Sequence, residues 1–286
     1  MARWTQRRQA FRAVMEGDTC VYPGSVFDPM SARVAQDIGY EIGMLGGSTA
    51  SLAVLGAPDL IVLTLTELAE QCRRICRASE IPLMVDADHG YGNALSVART
   101  VEELESAGIC GISIEDTDLP QPFGTDGKAR LLSVAEGVGK MKAAVKTRSD
   151  TGLFIAARTS APVLTGMADT IERVKAYQDV DVDAIFLVGV KTRAQLDEIS
   201  AVVTKPIILG TATAELFDLK YLAKRGVRIC LQGHQPIRAA VKAIHDTMRA
   251  LRDGATPAEI TGLASTELMD VATAENAYNK ALKDYL

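Results

Sequence analysis

The sequence predicts an α/β protein, a parallel (β/α)8 barrel of the TIM type, with a helical extension at its C-terminus. Eight short apolar runs rich in β-forming residues recur along the chain, and most are separated by a helical pattern. No Pro/Ser-rich linker interrupts the alternation. A doubly wound open sheet is the other fold with this rhythm, but no G-x-G-x-x-G follows the first strand, which weakens it.

The strands are expected at "TCVYPG" (19–24), "IGMLGG" (42–47), "PLMVDAD" (82–88), "GISIED" (111–116), "LFIAART" (153–159), "AIFLVG" (184–189), "PIILG" (206–210) and "VRICLQG" (227–233). Helical spacing, with apolar residues three and four apart and charges between, appears at 28–39, 65–79, 94–108, 134–148, 168–180, 192–203 and 216–226. Gly39, Gly108 and Gly226 each stand just before a strand, where helix C-caps belong. The last barrel helix covers 236–254, which bounds the barrel domain at 1–254. Two further helical stretches, "TPAEITGLA" and "TELMDVATAENAYNKALKDYL", make residues 255–286 an extension that a barrel does not need. It is expected to pack on a neighbouring subunit or over the barrel wall.

Composition narrows the function. With 286 residues, a net charge of −5 and a pI near 5.4, the chain is a poor candidate for nucleic-acid binding. A small anionic substrate stays possible, because a local metal or arginine overrides the global sign. The five cysteines are odd in number and scattered, which points to a reducing, cytoplasmic setting rather than a disulfide framework. Cys72 and Cys76 share a helix face but lack further ligands for zinc. The longest apolar region, 52–65, contains Pro58 and Asp59 and is too short to span a bilayer, so no membrane role is expected. The Arg-rich start, "MARWTQRRQAFRAVM", reads as a surface helix covering one end of the domain.

Barrel chemistry gathers where strands end at their C-termini. There the second strand offers "GGSTAS", with Gly46, Gly47 and Ser48. The third offers Asp86 and Asp88, the fourth Glu115 and Asp116, the fifth Arg158, and the eighth Gly233 and His234. Carboxylates crowded at one mouth repel unless something neutralises them. A hard divalent cation does so, and all-oxygen ligation suits Mg²⁺ or Mn²⁺. Asp86 is the expected direct ligand, with Asp88, Glu115 and Asp59 holding its waters. Arg158 would clamp a substrate carboxylate, pair with Glu115 or Asp116, or both. His234 would bind substrate, carry a proton or serve structure alone. His89 would orient one of the acids, and His245 falls within a helical pattern. The Gly/Pro-rich segment 116–136 reads as a lid over the mouth.

The motifs "YPGSVFDPMSARVAQDIGYE", "LGGSTAS", "DADHGYGN", "GISIED", "EGVGK" and "AART", in this order, resemble the isocitrate lyase/phosphoenolpyruvate mutase superfamily over about residues 20–250. That resemblance implies a magnesium enzyme acting on 2-oxo or 2-hydroxy acids, commonly a homotetramer that exchanges C-terminal helices between subunits. It implies Asp86 as metal ligand, with Asp88 and Glu115 on its waters and Asp59 beside it. Ser48 and the amides at Gly46 and Gly47 would receive substrate, and Arg158 would hold its carboxylate. The lyases of the superfamily carry a Lys-Lys-Cys-Gly-His-type motif in the lid, whereas this lid reads "QPFGTDGKARLLS", without cysteine. They also place a Glu at the sixth strand end, where this chain has "LVGV", and an Asn-x-Ser/Thr pattern where it has "GTATAE". "SVFDPMSAR", "LGGSTAS", "LVGV" and the Gly233-His234 pair are most similar to the oxaloacetate decarboxylase branch. Decarboxylases of this type can carry a tyrosine near the position of Ala212. The expected activity is Mg²⁺-dependent conversion of oxaloacetate to pyruvate and CO2. The alternatives are another diacid lyase, a phosphonopyruvate-type enzyme, or a non-catalytic binder of metal and oxo acid.

Overall fold

A computed structural model describes residues 3–286. Eight parallel strands run in sequential order: β1 (Gly24–Ser25), β2 (Gly43–Leu45), β3 (Leu83–Asp86), β4 (Gly111–Glu115), β5 (Phe154–Thr159), β6 (Ala184–Leu187), β7 (Ile207–Leu209) and β8 (Val227–Cys230). Val21 bridges to Ile229, donating its N–H to Arg228 at 2.9 Å and accepting from Cys230 at 3.0 Å, which closes the sheet on itself. The expected (β/α)8 barrel is therefore present. The first strand is shorter than its apolar run suggests. Pro23 has no N–H for the ladder, so pairing is split between Val21 and Gly24–Ser25.

The helices are α1 (Arg3–Glu16), α2 (Pro29–Ile38), α3 (Gly47–Leu55), α4 (Leu65–Ala78), α5 (Ala94–Ala107), α6 (Val134–Thr147), α7 (Ala161–Leu164), α8 (Met167–Gln178), α9 (Arg193–Ser200), α10 (Leu219–Lys224), α11 (Gln235–Arg252), α12 (Thr266–Thr273) and α13 (Glu275–Tyr285). Local chemistry sets many of their ends. Asp28, Thr64 and Thr192 close capping boxes at α2, α4 and α9, while Gly39 and Gly108 end α2 and α5 in the left-handed conformation. The run read as the end of the second strand, "GGSTAS", instead opens α3, a helix whose small uncharged residues give no amphipathic signal. In the tail, "TPAEITGLA" forms only a short 3-10 turn at Pro257–Glu259, and the following stretch breaks into two helices at Ala274, with φ 56°.

Two apolar layers hold the barrel. The outer one lies between strands and helices; the inner one fills the barrel with Met44, Met84, Phe154, Phe186, Ile208 and Ile229. The Arg-rich α1 closes the N-terminal end, as its sequence suggested. Its Phe11 meets Phe154 edge-on at 5.3 Å, in space that Gly111 leaves open by lacking a side chain. Arg8 bonds the carbonyls of Ile109 (3.0 Å) and Glu105 (2.8 Å), and Arg12 that of Gly152 (3.1 Å), so the arginines fasten this plug to exposed backbone. α1 thus covers the N-terminal end and leaves the C-terminal strand ends open. Among the described residues, no helix is long and apolar enough to cross a membrane.

Candidate active site

A cavity of 630 Å³ opens at the C-terminal ends of the strands. Gly46, Gly47, Ser48, Asp59, Asp86, Asp88, Glu115, Arg158 and His234 all line it, so the polar residues collected from the strand ends come together at one place. Asp86 ends β3 and Arg158 lies near the end of β5. The guanidinium Nη1 bonds Asp86 Oδ2, and Nη2 stands 3.4 Å from Glu115 Oε2. Asp86 Oδ1 also accepts from Ser113 Oγ at 3.1 Å and from the Asp88 N–H at 3.3 Å. Arg158 lies over the Phe186 ring at 5.6 Å, and its Nε, buried, has no partner.

The charges do not balance. Asp59, Asp86, Asp88 and Glu115 face one arginine. Burial, then the Asp86, Asp59 and Glu115 charges, push Asp88 up to about 8. Burial also raises Glu115, against the pull of Arg158, and raises Asp59 at the rim with Asp86 adding to it. For Arg158 burial works the other way, yet the Asp86 and Glu115 carboxylates hold the guanidinium firmly charged. Among the described residues no three His, Cys, Asp or Glu side chains form a complete metal cage. Mg²⁺ typically keeps several waters and uses one or two carboxylates. An all-oxygen cluster with surplus negative charge therefore fits a hard divalent cation held largely through water.

The second strand contributes through absence of side chains. A Cβ on Gly47 would collide with Asp88 Oδ1, and one on Gly46 would stand 2.5 Å from His234 Nε2. Gly47 and Ser48 are the first residues of α3, so their N–H groups precede the helical bonding pattern and remain available to an anion. The segment joining β4 to α6 borders the mouth as expected of a lid. It is held by a Thr117–Leu131 bridge, and Thr117, Leu119, Pro120, Gln121 and Ala129 form one wall.

Asp116 and His89 do not join the site. Asp116 turns outward into the barrel wall, bonding Arg173 at 2.9 Å and the Tyr177 hydroxyl at 2.6 Å, because successive strand side chains face opposite sides. His89 orients neither neighbouring acid. It packs 5.9 Å from the Tyr91 ring with Nδ1 unbonded, and burial, then Lys140, lower it to about 4. Thr211 and Gly210 face the cavity, whereas Ala212 is buried in the outer layer. The sequence reading missed Ser25, whose Oγ lies 2.8 Å from His234 Nδ1, along with Ser113 and an apolar wall of Val163, Leu164, Phe186, Val188 and Leu231. They sit on strands, just past strand ends or on the short α7, and only the curvature of the barrel reveals which of them reach the mouth.

Opposed charges gathered in a cavity at the C-terminal strand ends of a parallel barrel mark the chain as a barrel enzyme for small polar molecules. Its relatives narrow the class. Residues 11–252 match the phosphoenolpyruvate phosphomutase family, and the chain belongs to that family. It is 54% identical over 270 residues to an oxaloacetate decarboxylase of Rhodopseudomonas palustris strain BisB18, covering 94% of this chain and 93% of that one. An oxaloacetate acetylhydrolase bound to the inhibitor 3,3-difluorooxalacetate superposes with a TM-score of 0.85 at 26% identity, over 98% of this chain and 97% of that one. A phosphonopyruvate hydrolase in complex with oxalate and Mg²⁺ does so with the same score and identity, over 98% and 99%.

Proposed function

We propose that this chain is a carbon–carbon lyase that decarboxylates oxaloacetate to pyruvate and CO2 with the help of Mg²⁺. The observation that carries this is a mouth lined both by charged groups, Asp86, Asp88, Glu115 and Arg158, and by apolar ones, Phe186, Val188 and Leu231. A β-keto acid has both needs. Its carboxylate and 2-oxo oxygen call for charge, whereas the carboxylate that leaves as CO2 loses its charge and is released best in dry surroundings. The 54% identity to an oxaloacetate decarboxylase supports the choice of substrate.

Asp86 would hold the cation directly, with Asp88 and Glu115 on its waters and Asp59 nearby; Mn²⁺ has the same oxygen preference. A divalent cation held there would supply positive charge to stabilise the enolate that forms as the C3–C4 bond breaks. Arg158, whose Nη1 and Nη2 already pair with Asp86 and Glu115, has further N–H groups to hold the C1 carboxylate, and Ser48 with the amides at the start of α3 bonds its remaining oxygens. Together they keep the C3–C4 bond across the carbonyl plane, the orientation in which its electrons can delocalise. His234 holds the C4 carboxylate at the edge of the apolar wall. When C3–C4 breaks, its electron pair becomes the C2–C3 double bond of the pyruvate enolate. A proton then adds at C3. No nucleophile is needed, in keeping with a lid that has no cysteine.

The same reading includes a cytoplasmic homotetramer, a dimer of dimers. Support comes from five free buried cysteines and from Val241, Ile244 and Met248 exposed along α11. The test is pyruvate release by purified protein with Mg²⁺, compared with chelator-treated protein and with Asp86→Ala. The control is needed because free Mg²⁺ itself promotes this decarboxylation. Metal- and Asp86-dependent pyruvate supports the reading. Rates equal to the metal background would reject it and turn attention to other diacids or phosphonopyruvate.

A further inference from the structure

His234 is the last residue before α11, and its ring spans three strand ends. Nδ1 lies 2.8 Å from Ser25 Oγ on β1. The Nε2 edge lies over Gly46, after β2, where a single Cβ would stand 2.5 Å from Nε2 and 2.6 Å from Cε1. The ring is thus wedged with one nitrogen against the wall and the other toward the mouth, and Asp86 and Asp59 act on it electrostatically from that side.

Two proton arrangements satisfy the Ser25 contact. Either the hydroxyl donates to Nδ1 and Nε2 carries the proton, or Nδ1–H donates to Oγ and Nε2 is bare. The second arrangement leaves the serine proton without an acceptor, since among the described residues Ser25 Oγ has no partner besides His234. It would also aim a nitrogen lone pair at a cluster of carboxylates. The first has neither cost, because an unused hydroxyl lone pair is cheaper than an unused half-buried donor, and an Nε2–H suits the carboxylate of an anionic substrate.

We propose that Ser25 is a positioning residue: its hydroxyl donates to His234 Nδ1, fixes the Nε2–H tautomer, and presents a neutral hydrogen-bond donor to the substrate. Burial, which lowers His234 below its ordinary range, favours the same uncharged ring. Resting on the decarboxylase reading, this decides between the two tasks open to His234. An Nε2–H engaged by the C4 carboxylate faces the leaving group rather than C3. His234 therefore orients the C4 carboxylate, and the proton that completes pyruvate is drawn from solvent water.

The test is nitrogen-15 NMR of the full-length protein labelled at histidine. The chain has three histidines, and His234→Gln identifies the relevant signals by their loss. The expected spectrum shows a protonated Nε2 and a bare Nδ1. Ser25→Ala should mix the tautomers and raise KM for oxaloacetate about tenfold, the effect of one lost hydrogen bond, with a smaller change in kcat. Ser25→Thr, which keeps the hydroxyl, should restore both. A proton on Nδ1 in the unaltered protein overturns the proposal, as does a Ser25→Ala protein with unchanged tautomer and KM. Should Ser25→Ala fail to fold, the unaltered protein and Ser25→Thr still decide the tautomer. Should oxaloacetate not be turned over, the spectrum still judges the Ser25–His234 pair, while absence of pyruvate counts against the reaction alone.

Discussion

At the scale of single residues, the mouth depends on groups that are missing as much as on those present. Gly47 lets the start of α3 approach the Asp88 carboxylate within a distance that no Cβ allows. Asp88 cannot retreat easily. Its own φ is 48°, in the left-handed region that few side chains tolerate, and its N–H is tied to Asp86 Oδ1 at 3.3 Å. Gly47→Ala should therefore displace Asp88 and the substrate-facing amides together. The expected loss in kcat/KM is on the order of a hundredfold, with the thermal midpoint moving only a few degrees. Steady-state kinetics beside a circular-dichroism melt checks this, and near-normal turnover would show that the cluster yields more than its geometry suggests. The charged members of this cluster were legible in the sequence because an acid or arginine that ends an apolar strand has few reasons to be there. Ser113 was not, since a small polar residue inside a strand looks like ordinary alternation, and Ser25 was not, since it fell just past the expected first strand.

At the scale of elements, strand alternation separates adjacent acids into different tasks. Glu115 faces the cavity and Asp116 the helix layer, though both end the same apolar run. Asp116 is fully buried, and burial raises its carboxyl despite bonds from Tyr177 and Arg173. Gly137 on α6 leaves room for the Tyr177 hydroxyl, so α6, α8 and the end of β4 meet at one polar knot. The same Asp116 donates its N–H to the Arg158 carbonyl at 3.2 Å and accepts from Leu132 at 2.8 Å, which ties β5 and the far end of the lid to that knot. Arg173→Leu removes one partner and leaves a buried acid. Loss of one side of such a pair typically costs about 3–5 kcal/mol. A fall in the unfolding free energy of that size, read as a lower urea midpoint, is expected, whereas Asp116→Asn with Arg173→Leu should recover part of it. A single Arg173→Leu with unchanged midpoint would mean that Tyr177 alone holds the acid. The helix periods were readable because their faces are amphipathic. The outward turn of Asp116 was not, because neighbouring acids look alike until the pleat assigns their sides.

At the scale of the whole molecule, one end of the barrel is sealed by α1 and the other holds the chemistry, which leaves the C-terminal extension to be explained. Its first helix is fastened to its own chain. Ala272 on α12 is buried, and its carbonyl accepts from Arg33 on α2 at 2.9 Å. The last helix is different. No residue of α13 is buried, yet Tyr278, Leu282 and Tyr285, spaced to share one face, are 65%, 53% and 80% exposed. A helix with an apolar stripe has little reason to stay folded in water unless the stripe is covered. Within the tetramer proposed above, a neighbouring subunit provides that cover. Deleting residues 275–286 should then lower the sedimenting mass from tetramer toward dimer or monomer while leaving the circular-dichroism spectrum of the barrel in place. Because α1, the inner layer and the 630 Å³ cavity are all built without α13, the shortened chain should still bind oxalate in the presence of Mg²⁺. An unchanged mass would mean that α13 covers nothing in the assembly. Loss of barrel structure would mean that its contacts reach the chain's own core, although no residue of α13 is buried there.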